Sequence, residues 1–492
     1  MRHPFRGFVA ALLCLIAVAA AAQDEAPDTV ANPSLLPKAI LAMRGEQGST
    51  TQLQIVFDRT RDGETIAPLT VWIGADYFAL VDGPRVTITD LRLRRRLIVD
   101  RQAGTLVNLS LYGDVMLRRI ELVRRLGIAR ALAREEAKNK RGPAPPESLD
   151  RFWIESELGL PSPGKGPSKV VDLQQDGNAY RYFHAGQDVV TLVPSDTPIP
   201  ARVQHSWEAF IRHTLPLHPD IARGLADDRL VPARLDYISE ANGKAETITL
   251  NLRHATVASA DFPLPADLSL LLLPTGENDP EVALMRQVLP HMFEAVANRA
   301  PDRTGQIAAF RTAIDGDFKR GRKFEATLRL AELALRWGKS AAACKSGEDA
   351  GPCQSKQQID RMLRDDPRSM AMFEAISTQN SEPAHALEIL RKLDRGDTDS
   401  GYVIDIFLAR LLSESGDRGA AARAFAAAFA GDPFIPSLYR DLGDHFTLVS
   451  RLDLAWLCYD LGRALPNRRL PDALSGIDTI EQDLVKAYPE MF

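Results

Sequence analysis

Three histidines lie close together near the middle of the chain, and two carboxylates accompany them. His205, His213 and His218 stand beside Glu208 and Asp220. Imidazole and carboxylate groups are common zinc ligands, and two ligands on one helix face usually stand three or four residues apart. The offsets here are eight and five residues. We therefore expect ordinary surface or helix-end histidines, with no metal site and no cofactor.

Motifs that carry catalysis are missing from this sequence. It contains no G-x-S-x-G nucleophile turn, no H-E-x-x-H zinc motif, no Walker loop and no G-x-G-x-x-G turn. The sequence thus gives no catalytic residues, and we expect a protein that is not an enzyme.

The first 22 residues have the features of a secretory signal peptide. Arg2 and Arg6 precede an uncharged apolar stretch that ends in a run of alanines before Gln23. The stretch is shorter than the about 20 apolar residues that span a membrane. We expect cleavage after Ala22 and a mature chain in the periplasm or secreted, with no transmembrane segment. Residues 23–47 are predicted to be a flexible N-terminal segment.

Composition fits a folded export product of several domains. Of 492 residues, 45% are hydrophobic and 25% are charged, which is ordinary globular usage. This length corresponds to about three domains of roughly 150 residues each. Without the leader, 58 basic residues stand against 65 acidic ones. The acidic balance argues against a nucleic acid as partner.

Cysteines suggest one disulfide. Cys344 and Cys353 bracket a short loop, and an oxidising compartment favours a bond between them. A redox or metal pair is the alternative, but no second pair or nearby histidine completes a site. Cys458 precedes Tyr459 in an apolar segment, so we expect a buried free thiol there.

Residues 48–275 are predicted to form an antiparallel β-rich region in two halves, 48–115 and 165–275, with a helical insertion at 116–163. Short runs of β-branched and aromatic residues are separated by Asp-Gly and Gly-Pro turns. Two further helices are predicted in the second half, at Ser206–Ile211 and Pro219–Leu225. The predicted strands are Thr51–Phe57, Leu69–Ile73, Tyr77–Val81, Arg85–Thr89, Leu91–Val99, Thr105–Leu111, Lys169–Leu173, Ala179–His184, Val189–Val193, Arg234–Ser239, Thr247–Leu252 and Leu268–Leu273.

The fifth predicted strand, Leu91–Val99, should have a basic face. Arg92, Arg94 and Arg96 alternate with leucines, so one face should be buried and the other strongly basic. Together with Arg118, Arg119, Arg124 and Arg125, this face could bind an anionic surface such as lipid head groups. A solvated strand face explains the same pattern.

Residues 280–492 are predicted to be all α-helical, with the clearest repeats at 402–435 and 436–469. Small residues let two helices approach, larger apolar residues fill the space between them, and Pro433 and Pro466 end the second helices. Degenerate copies of the hairpin are predicted at Thr304–Trp337 and Ser369–Leu393. The residues of the repeat packing are Leu408, Ala409, Leu412, Ala421, Phe425, Tyr439, Leu442, Gly443, Phe446, Ala455 and Tyr459.

Residues 402–469 resemble a pair of tetratricopeptide repeats, whose 34-residue pattern has W-x2-L-G-x2-Y followed by A-x3-F and a proline. Asp405 departs from the pattern because it stands in the place of the bulky aromatic. The resemblance implies a solenoid of stacked hairpins whose first helices line a groove for a peptide or protein. The implied groove positions are Val403, Ile406, Arg410, Ser413, Arg440, Asp444 and Thr447.

The fold class is therefore α+β and multidomain, and two functions remain open. One is an exported scaffold that holds a peptide or protein partner on its tetratricopeptide-like repeats. The other rests on the β-rich region, which at the level of fold resembles the curved sheets of periplasmic lipoprotein carriers. That resemblance implies an apolar ligand, a lipid or a lipoprotein, in a cavity lined by Trp72, Tyr77, Phe78, Trp153 and Phe183.

Overall fold

One continuous sheet occupies the first half of the chain in the computed structural model. The structure describes residues 36–45, 50–139, 149–162, 171–241, 244–271, 279–298, 303–338, 364–396, 398–466 and 473–492. Within these residues the sheet has twelve strands. They are β1 Thr50–Arg61, β2 Glu64–Ile73, β3 Tyr77–Asp82, β4 Arg85–Asp90, β5 Arg95–Asp100, β6 Thr105–Ser110, β7 Asp172–Asp176, β8 Ala179–His184, β9 Gln187–Pro198, β10 Leu230–Ala241, β11 Lys244–Ala260 and β12 Ser269–Leu270.

Pairing between β1 and β11 joins the two predicted halves into one sheet. The strand order is β12-β6-β5-β4-β3-β2-β1-β11-β10-β9-β8-β7. β1 and β11 run antiparallel from Thr50 opposite Ala260 to Arg61 opposite Ile248, with one register shift after Val56. β12 is the exception to the antiparallel order, because it pairs with β6 in parallel. Each of the twelve predicted runs overlaps one of these strands.

Helices interrupt the sheet at the predicted places. Asp150 caps one of them, since its carboxylate accepts a hydrogen bond from the backbone N–H of Phe152. The described residues of the predicted insertion contain two helices, and the two later predicted helices are present. The helices of this part are α1 Pro37–Arg44, α2 Leu111–Asn139, α3 Arg151–Leu158, α4 Gln204–Thr214 and α5 Pro219–Asp227.

The helix α1 corrects the prediction of a flexible segment over residues 23–47. Ile40 on α1 is fully buried and belongs to an apolar core with Ile88 and Leu97 of the sheet. Arg44 ends the helix and is also buried, with its guanidinium on the carboxylates of Asp76 and Asp90. Burial of both side chains fixes this helix against the sheet. The predicted signal peptide and residues 23–35 lie outside the described residues.

The predicted strand Leu91–Val99 is shorter than expected, and its predicted basic face is only partly solvated, with Arg92 exposed and Arg96 half-buried. Residues 91–94 form a turn in which Asp90 accepts a hydrogen bond from the N–H of Leu93, and Arg94 has a left-handed φ of 56°. Arg95 therefore begins β5 and is buried beside the core. Arg96 lies on the other face, where Asp114 of α2 and His213 of α4 contact its guanidinium.

The second half of the chain is helical, as predicted. Its helices are α6 Pro280–Ala297, α7 Arg303–Lys319, α8 Lys323–Trp337, α9 Pro367–Thr378, α10 Pro383–Lys392, α11 Tyr402–Ser415, α12 Arg418–Gly431, α13 Pro436–Leu448, α14 Leu452–Arg463 and α15 Ser475–Ala487. The predicted upstream hairpins correspond to α7–α8 and α9–α10. Ile307 and Ile314 of α7 pack with Leu333 and Trp337 of α8 in a core of their own.

Two consecutive residues, Gly416 and Asp417, form the turn between α11 and α12. Gly416 takes a left-handed φ of 84° after α11, where a residue with a Cβ would be strained. Asp417 then caps α12 by accepting a hydrogen bond from the N–H of Ala420. α11 and α13 begin at Tyr402 and Pro436, and α12 and α14 begin at Arg418 and Leu452. Both pairs of starts are separated by the offset of the sequence repeat.

The described chain divides into two units. The sheet unit contains Ser34–Val282 together with Phe446–Leu457 and Glu481–Phe492. The helical unit contains Ala283–His445 and Cys458–Ile480. Two short stretches of the predicted helical domain therefore belong with the sheet.

Candidate partner-binding site

Close helix approach in the last hairpins rests on glycines that face tyrosines. A Cβ on Gly443 would come within 2.2 Å of the ring of Tyr459, and one on Gly431 equally close to Tyr402. Gly462 faces Tyr439 in the same way, at 2.9 Å from its Cβ. Each glycine thus leaves room for an aromatic ring from the neighbouring helix.

All eleven residues predicted for the repeat packing are buried. Those with no exposed surface include Ala409 on the first helix, Ala421 and Phe425 on the second, and Tyr439 on the third. The structure therefore places them where the packing argument requires. The whole set is Leu408, Ala409, Leu412, Ala421, Phe425, Tyr439, Leu442, Gly443, Phe446, Ala455 and Tyr459.

The seven predicted groove positions separate into two groups. Val403 and Ile406 are buried apolar residues, and Ser413 is buried with its hydroxyl 2.8 Å from Nδ1 of His445. These three are corrected to packing residues, because side chains with so little exposed surface cannot line a binding groove. Accessible surface remains on Arg410, Arg440, Asp444 and Thr447.

The accessible charged residues belong to a charged cluster on α11 and α13. It is made of Arg410, Glu414, Arg440, Asp441 and Asp444. Arg410 lies 3.7 Å from Glu414 and donates to the side-chain oxygen of Gln379 at 2.7 Å. Arg440 pairs with Asp441 at 2.6 Å and approaches Asp444 at 4.0 Å. Sequence reasoning missed Glu414 and Asp441, although both stand one helical turn or less from a predicted groove residue.

Packing inside the helical unit holds the cluster in place. The hydroxyl of Tyr459 on α14 donates to Asp444 at 2.8 Å, while the Tyr459 ring lies on Gly443. Asp441 is 7% exposed, whereas Glu414 and Asp444 keep 43% and 37% of their side-chain surface. Asp441 is thus buried, Glu414 is open to solvent, and Asp444 is both held by Tyr459 and partly open.

Desolvation shapes the electrostatics of this cluster. Burial raises the pKa of Asp444 to about 6, with Arg440 opposing the shift and Asp441 adding to it. Burial likewise raises the pKa of Glu414. The carboxylate of Asp441 raises the pKa of Arg440 and so keeps the guanidinium charged. The charged groups of Arg440, Asp444 and Glu414 are thus partly buried, yet each keeps some surface in contact with solvent. They can exchange their hydrogen bonds within the cluster for bonds to the backbone and charged groups of a partner.

A second polar cluster in the helical unit was not foreseen from the sequence. Arg336 lies 2.5 Å from Asp432 and 3.6 Å from Glu332, and both carboxylates are almost fully buried. Burial first, and the charge of Asp432 second, raise the pKa of Glu332 to about 7. Tyr402 completes the cluster through its interaction with Glu332. Because both carboxylates are almost fully buried, a partner could not reach them, and this cluster is better suited to packing than to binding.

Aromatic rings surround the guanidinium of this buried cluster. Arg336 lies over the rings of Phe310, Trp337 and Phe434, at 5.3 to 5.5 Å from their centroids. Part of this cluster could have been predicted from the sequence, because Glu332 and Arg336 stand one turn apart on α8. Asp432, about a hundred residues away, could not be joined to them from spacing alone.

The three histidines that lie close together in the sequence contact different partners. Nε2 of His205 and Nε2 of His213 lie 3.0 Å from the carbonyl oxygens of Phe492 and Met491. Nε2 of His218 lies 2.8 Å from Glu155. Burial, with Arg118 and Arg96, lowers the pKa of His213 to about 3, so its ring is neutral. Across the described residues, His, Cys, Asp and Glu form no group of three that could hold a metal ion.

The five aromatic residues proposed to line a lipid cavity do not share one face. Tyr77 packs edge-on against Phe262, at 4.9 Å between centroids, whereas Phe78 packs against Phe210 of α4. Adjacent residues of a strand point to opposite faces, so these two cannot line one space. Trp72 lies with Tyr77 against the apolar core that includes α1. Trp153 packs on Phe152, and Phe183 lies under Arg181.

The cysteine predictions have different outcomes. Cys458 is a free, fully buried thiol, as predicted, and burial raises its pKa well above the ordinary value. Cys344 and Cys353 lie outside the described residues, so their disulfide stays a prediction.

Comparison with models of known protein families gives no match, and comparison with curated proteins gives no significant match either. In the part of the chain that the structure describes, no helix is both long enough and apolar enough to cross a membrane.

Proposed function

We propose that this protein is an exported scaffold that binds a peptide or protein segment at the charged cluster of α11 and α13. The hairpins of the helical unit are then tetratricopeptide-like repeats, and their first helices carry the binding residues. The observation that carries the proposal is the position of the cluster. α11 and α13 are mostly buried, yet they keep Arg410, Glu414, Arg440 and Asp444 accessible.

Charge chemistry supports a peptide as occupant. An extended peptide offers backbone carbonyls and N–H groups as well as charged ends, and the cluster presents guanidinium and carboxylate groups within one helical turn. The guanidinium of Arg410 already makes such a bond, to the side-chain amide of Gln379. A partner would replace internal hydrogen bonds of the same kind rather than meet bare charges.

Site-specific photo-crosslinking in the cells that export this protein tests the proposal. A photoreactive residue at Glu414 or Asp444 should give an adduct with the same partner, because both side chains are open to solvent. The matched control is Arg423, an exposed residue on α12. A probe at Arg423 should give no such adduct.

Charge reversal provides the second half of the test. Arg410→Glu combined with Arg440→Glu should reduce the adduct at Glu414 by about tenfold or more, since two charge-assisted contacts are lost. Arg423→Glu should leave it unchanged. Equal adducts from Arg423, or an adduct that survives the double reversal, would place the partner elsewhere and refute the charged cluster as its site.

A further inference from the structure

Strand β11 has a partner along one edge over most of its length, but along only part of its other edge. On the side of β1, its pairs run from Ile248 to Ala260. On the side of β10, they run only from Lys244 to Asn251. Among the described residues, no strand pairs with residues 252–260 on that second side. We call this stretch the open edge of β11.

The open edge is accessible to solvent. Arg253, His254, Thr256, Val257 and Ser259 are exposed, and Val257 keeps 55% of its surface. In an antiparallel strand, the backbone N–H and C=O groups of alternate residues point away from a given neighbour. Here the groups that point away from β1 make no hydrogen bond within the described part of the chain. A row of such groups is a template for a further strand.

The two end strands of the sheet are less suited to pairing with a copy of themselves. β7 is exposed, but Asp172 and Asp176 stand at its two ends, so antiparallel pairing about its centre would place aspartates opposite each other. β12 has only two residues. From His254 to Ala260, by contrast, the open edge contains no Asp, Glu, Lys, Arg or Pro, the residue types that protect an edge.

An apolar row of the sheet ends at Val257. Phe78, Ile73 and Leu53 lie next to one another on three adjacent strands, and none is more than 1% exposed. Val257 lies opposite Leu53 on the same face, and among the described strands the row stops there. An apolar side chain on an added strand would cover Val257 and continue the row.

The other face of the open edge is polar. Thr256 lies opposite Gln54 of β1 and is exposed. A strand that fits this edge therefore places an apolar residue opposite Val257 and polar or small residues on either side of it. β11 itself has this pattern, because Val257 stands between Thr256 and Ala258.

Charge also favours a second copy of the chain as the added strand. In an antiparallel pair centred on Val257, Arg253 of one copy lies next to Asp261 of the other. Both side chains are exposed, and Arg253 already contacts Asp58 of β1. Two-fold symmetry brings Arg253 and Asp261 together at both ends of the seam and places no like charges opposite each other.

We propose that the open edge of β11 pairs antiparallel with the same edge of a second copy, with Val257 on the two-fold axis. The two sheets then continue into one another through main-chain hydrogen bonds. Val257 of each copy covers the other, so the apolar row runs from one Phe78 to the other. The charged cluster of α11 and α13 takes no part in this contact, because other residues form it.

Sedimentation velocity of the purified protein tests the proposal. A seam of one strand pair is small for a specific interface, so the association should be of moderate strength. We expect the dimer fraction to rise with protein concentration through the micromolar range. Val257→Lys should raise the dissociation constant by about tenfold or more, since it places two ammonium groups opposite each other.

The matched control is Leu173→Lys on β7. Leu173 is also an aliphatic residue of the sheet unit with 55% of its surface exposed. Because Leu173 lies outside the proposed seam, this variant should form dimers as the wild type does. Both substitutions change exposed side chains, and circular dichroism verifies the fold.

Opposite charges test the register of the pair. Val257→Glu alone should weaken the dimer as Val257→Lys does. An equimolar mixture of the Val257→Lys and Val257→Glu variants should recover it, because the ammonium of one copy then lies opposite the carboxylate of the other. Recovery requires that residue 257 of one copy lies opposite residue 257 of its partner.

Three results would overturn the proposal. A wild-type protein that stays monomeric throughout the micromolar range would leave the open edge to a strand of a different protein, or to none. A dimer that Val257→Lys leaves intact would place the interface elsewhere. A mixture of the two charged variants that stays monomeric would exclude the pairing about Val257.

Discussion

At the scale of single residues, Gly443 shows how a missing side chain sets the distance between two helices. Its Cα faces the ring of Tyr459, whose hydroxyl is held by Asp444. The ring cannot withdraw without breaking that hydrogen bond and opening a gap in a buried contact. The glycine therefore supports both the packing and the position of a residue in the charged cluster.

Gly443→Ala should lower the free energy of unfolding by about 1–3 kcal/mol, because the added methyl overlaps a ring that has no room to move. Urea unfolding followed by circular dichroism measures the change. Gly419→Ala is the matched control on α12, where the nearest atom to the new Cβ is Nη1 of Arg423 at 3.8 Å. Gly419→Ala should raise the free energy of unfolding by about 0.5–1 kcal/mol, because alanine has a higher helix propensity than glycine. Equal effects of the two changes would contradict the close contact.

The buried carboxylate of Glu332 predicts how stability depends on pH. Its pKa is raised to about 7 in the folded chain, against an ordinary value near 4.5. The folded state therefore holds a proton that the unfolded state releases, and its stabilising effect is complete below about pH 4.5 and lost as pH rises through about 7. Glu332→Gln keeps an acceptor for Tyr402 and cannot ionise.

We expect Glu332→Gln to exceed the wild type in stability at pH 8, on the order of 1–2 kcal/mol, and to match it more closely near pH 5. Urea midpoints across this range give the comparison. Glu388→Gln, at an exposed position on α10, is the control and should run parallel to the wild type. A wild-type stability that rises between pH 5 and pH 8 as steeply as that of Glu332→Gln would show that Glu332 is ionised throughout.

These two residues also show what the sequence could and could not predict. Gly443 was foreseen, because its partner Tyr459 belongs to the same repeat and the spacing is short. The pairing of Glu332 with Asp432 was not, since about a hundred residues separate them and only Arg336 stands at a helical spacing from Glu332. Burial of Val403 and Ile406 was misread for a different reason. A repeat pattern assigns a helix face, but the surrounding helices decide whether that face stays open.

At the scale of elements, α1 is held by one arginine. Arg44 is 1% exposed and donates to Asp90 at 2.7 Å and to Asp76 at 2.6 Å. Its guanidinium also lies 4.1 Å from the ring centroid of Phe262. Asp90 has no exposed surface, so it depends on this guanidinium for its charge balance. The helix has only eight residues, and the carboxylates that Arg44 contacts lie more than 30 residues away, so the sequence gave no signal of this contact and the segment was predicted to be flexible.

Arg44→Ala should destabilise the sheet unit by about 3–5 kcal/mol, because it leaves the carboxylate of Asp90 buried without its partner. Arg44→Lys should recover part of the loss, since a single ammonium cannot bind both carboxylates as the planar guanidinium does. Lys38→Ala is the control on the exposed side of the same helix and should change little. Thermal unfolding measures all three. A loss as small as that of the control would mean that Asp90 is not charged in the folded protein.

At the scale of the whole molecule, residues 488–492 belong with a sheet unit that begins more than 400 residues earlier. Met491 is fully buried, and its carbonyl oxygen lies against His213 of α4. Glu490 lies 3.6 Å from the buried guanidinium of Arg212, and the ring of Phe492 packs on Tyr112. The end of the sequence therefore contributes to the packing of α4.

Removal of residues 488–492 should expose the amides of α4 to hydrogen exchange, with protection reduced by about tenfold or more. Protection should fall because α4 loses buried side chains that pack on it, and because His205 and His213 lose the oxygen atoms that their rings contact. Peptides from α8, in the helical unit, are the internal control and should keep their protection. Unchanged exchange in α4 would show that this segment contributes nothing to the stability of the helix.

The pairing of β1 with β11 also has a consequence for the order of folding. β1 is made near the start of the chain, and its long antiparallel partner follows only after nearly two hundred residues. Closing so large a loop is slow, whereas the hairpins of the helical unit need only neighbouring residues. A refolding chain should thus acquire its helical hairpins first and complete its sheet last. Until β11 arrives, one edge of β1 is open to any other strand, including one from another molecule.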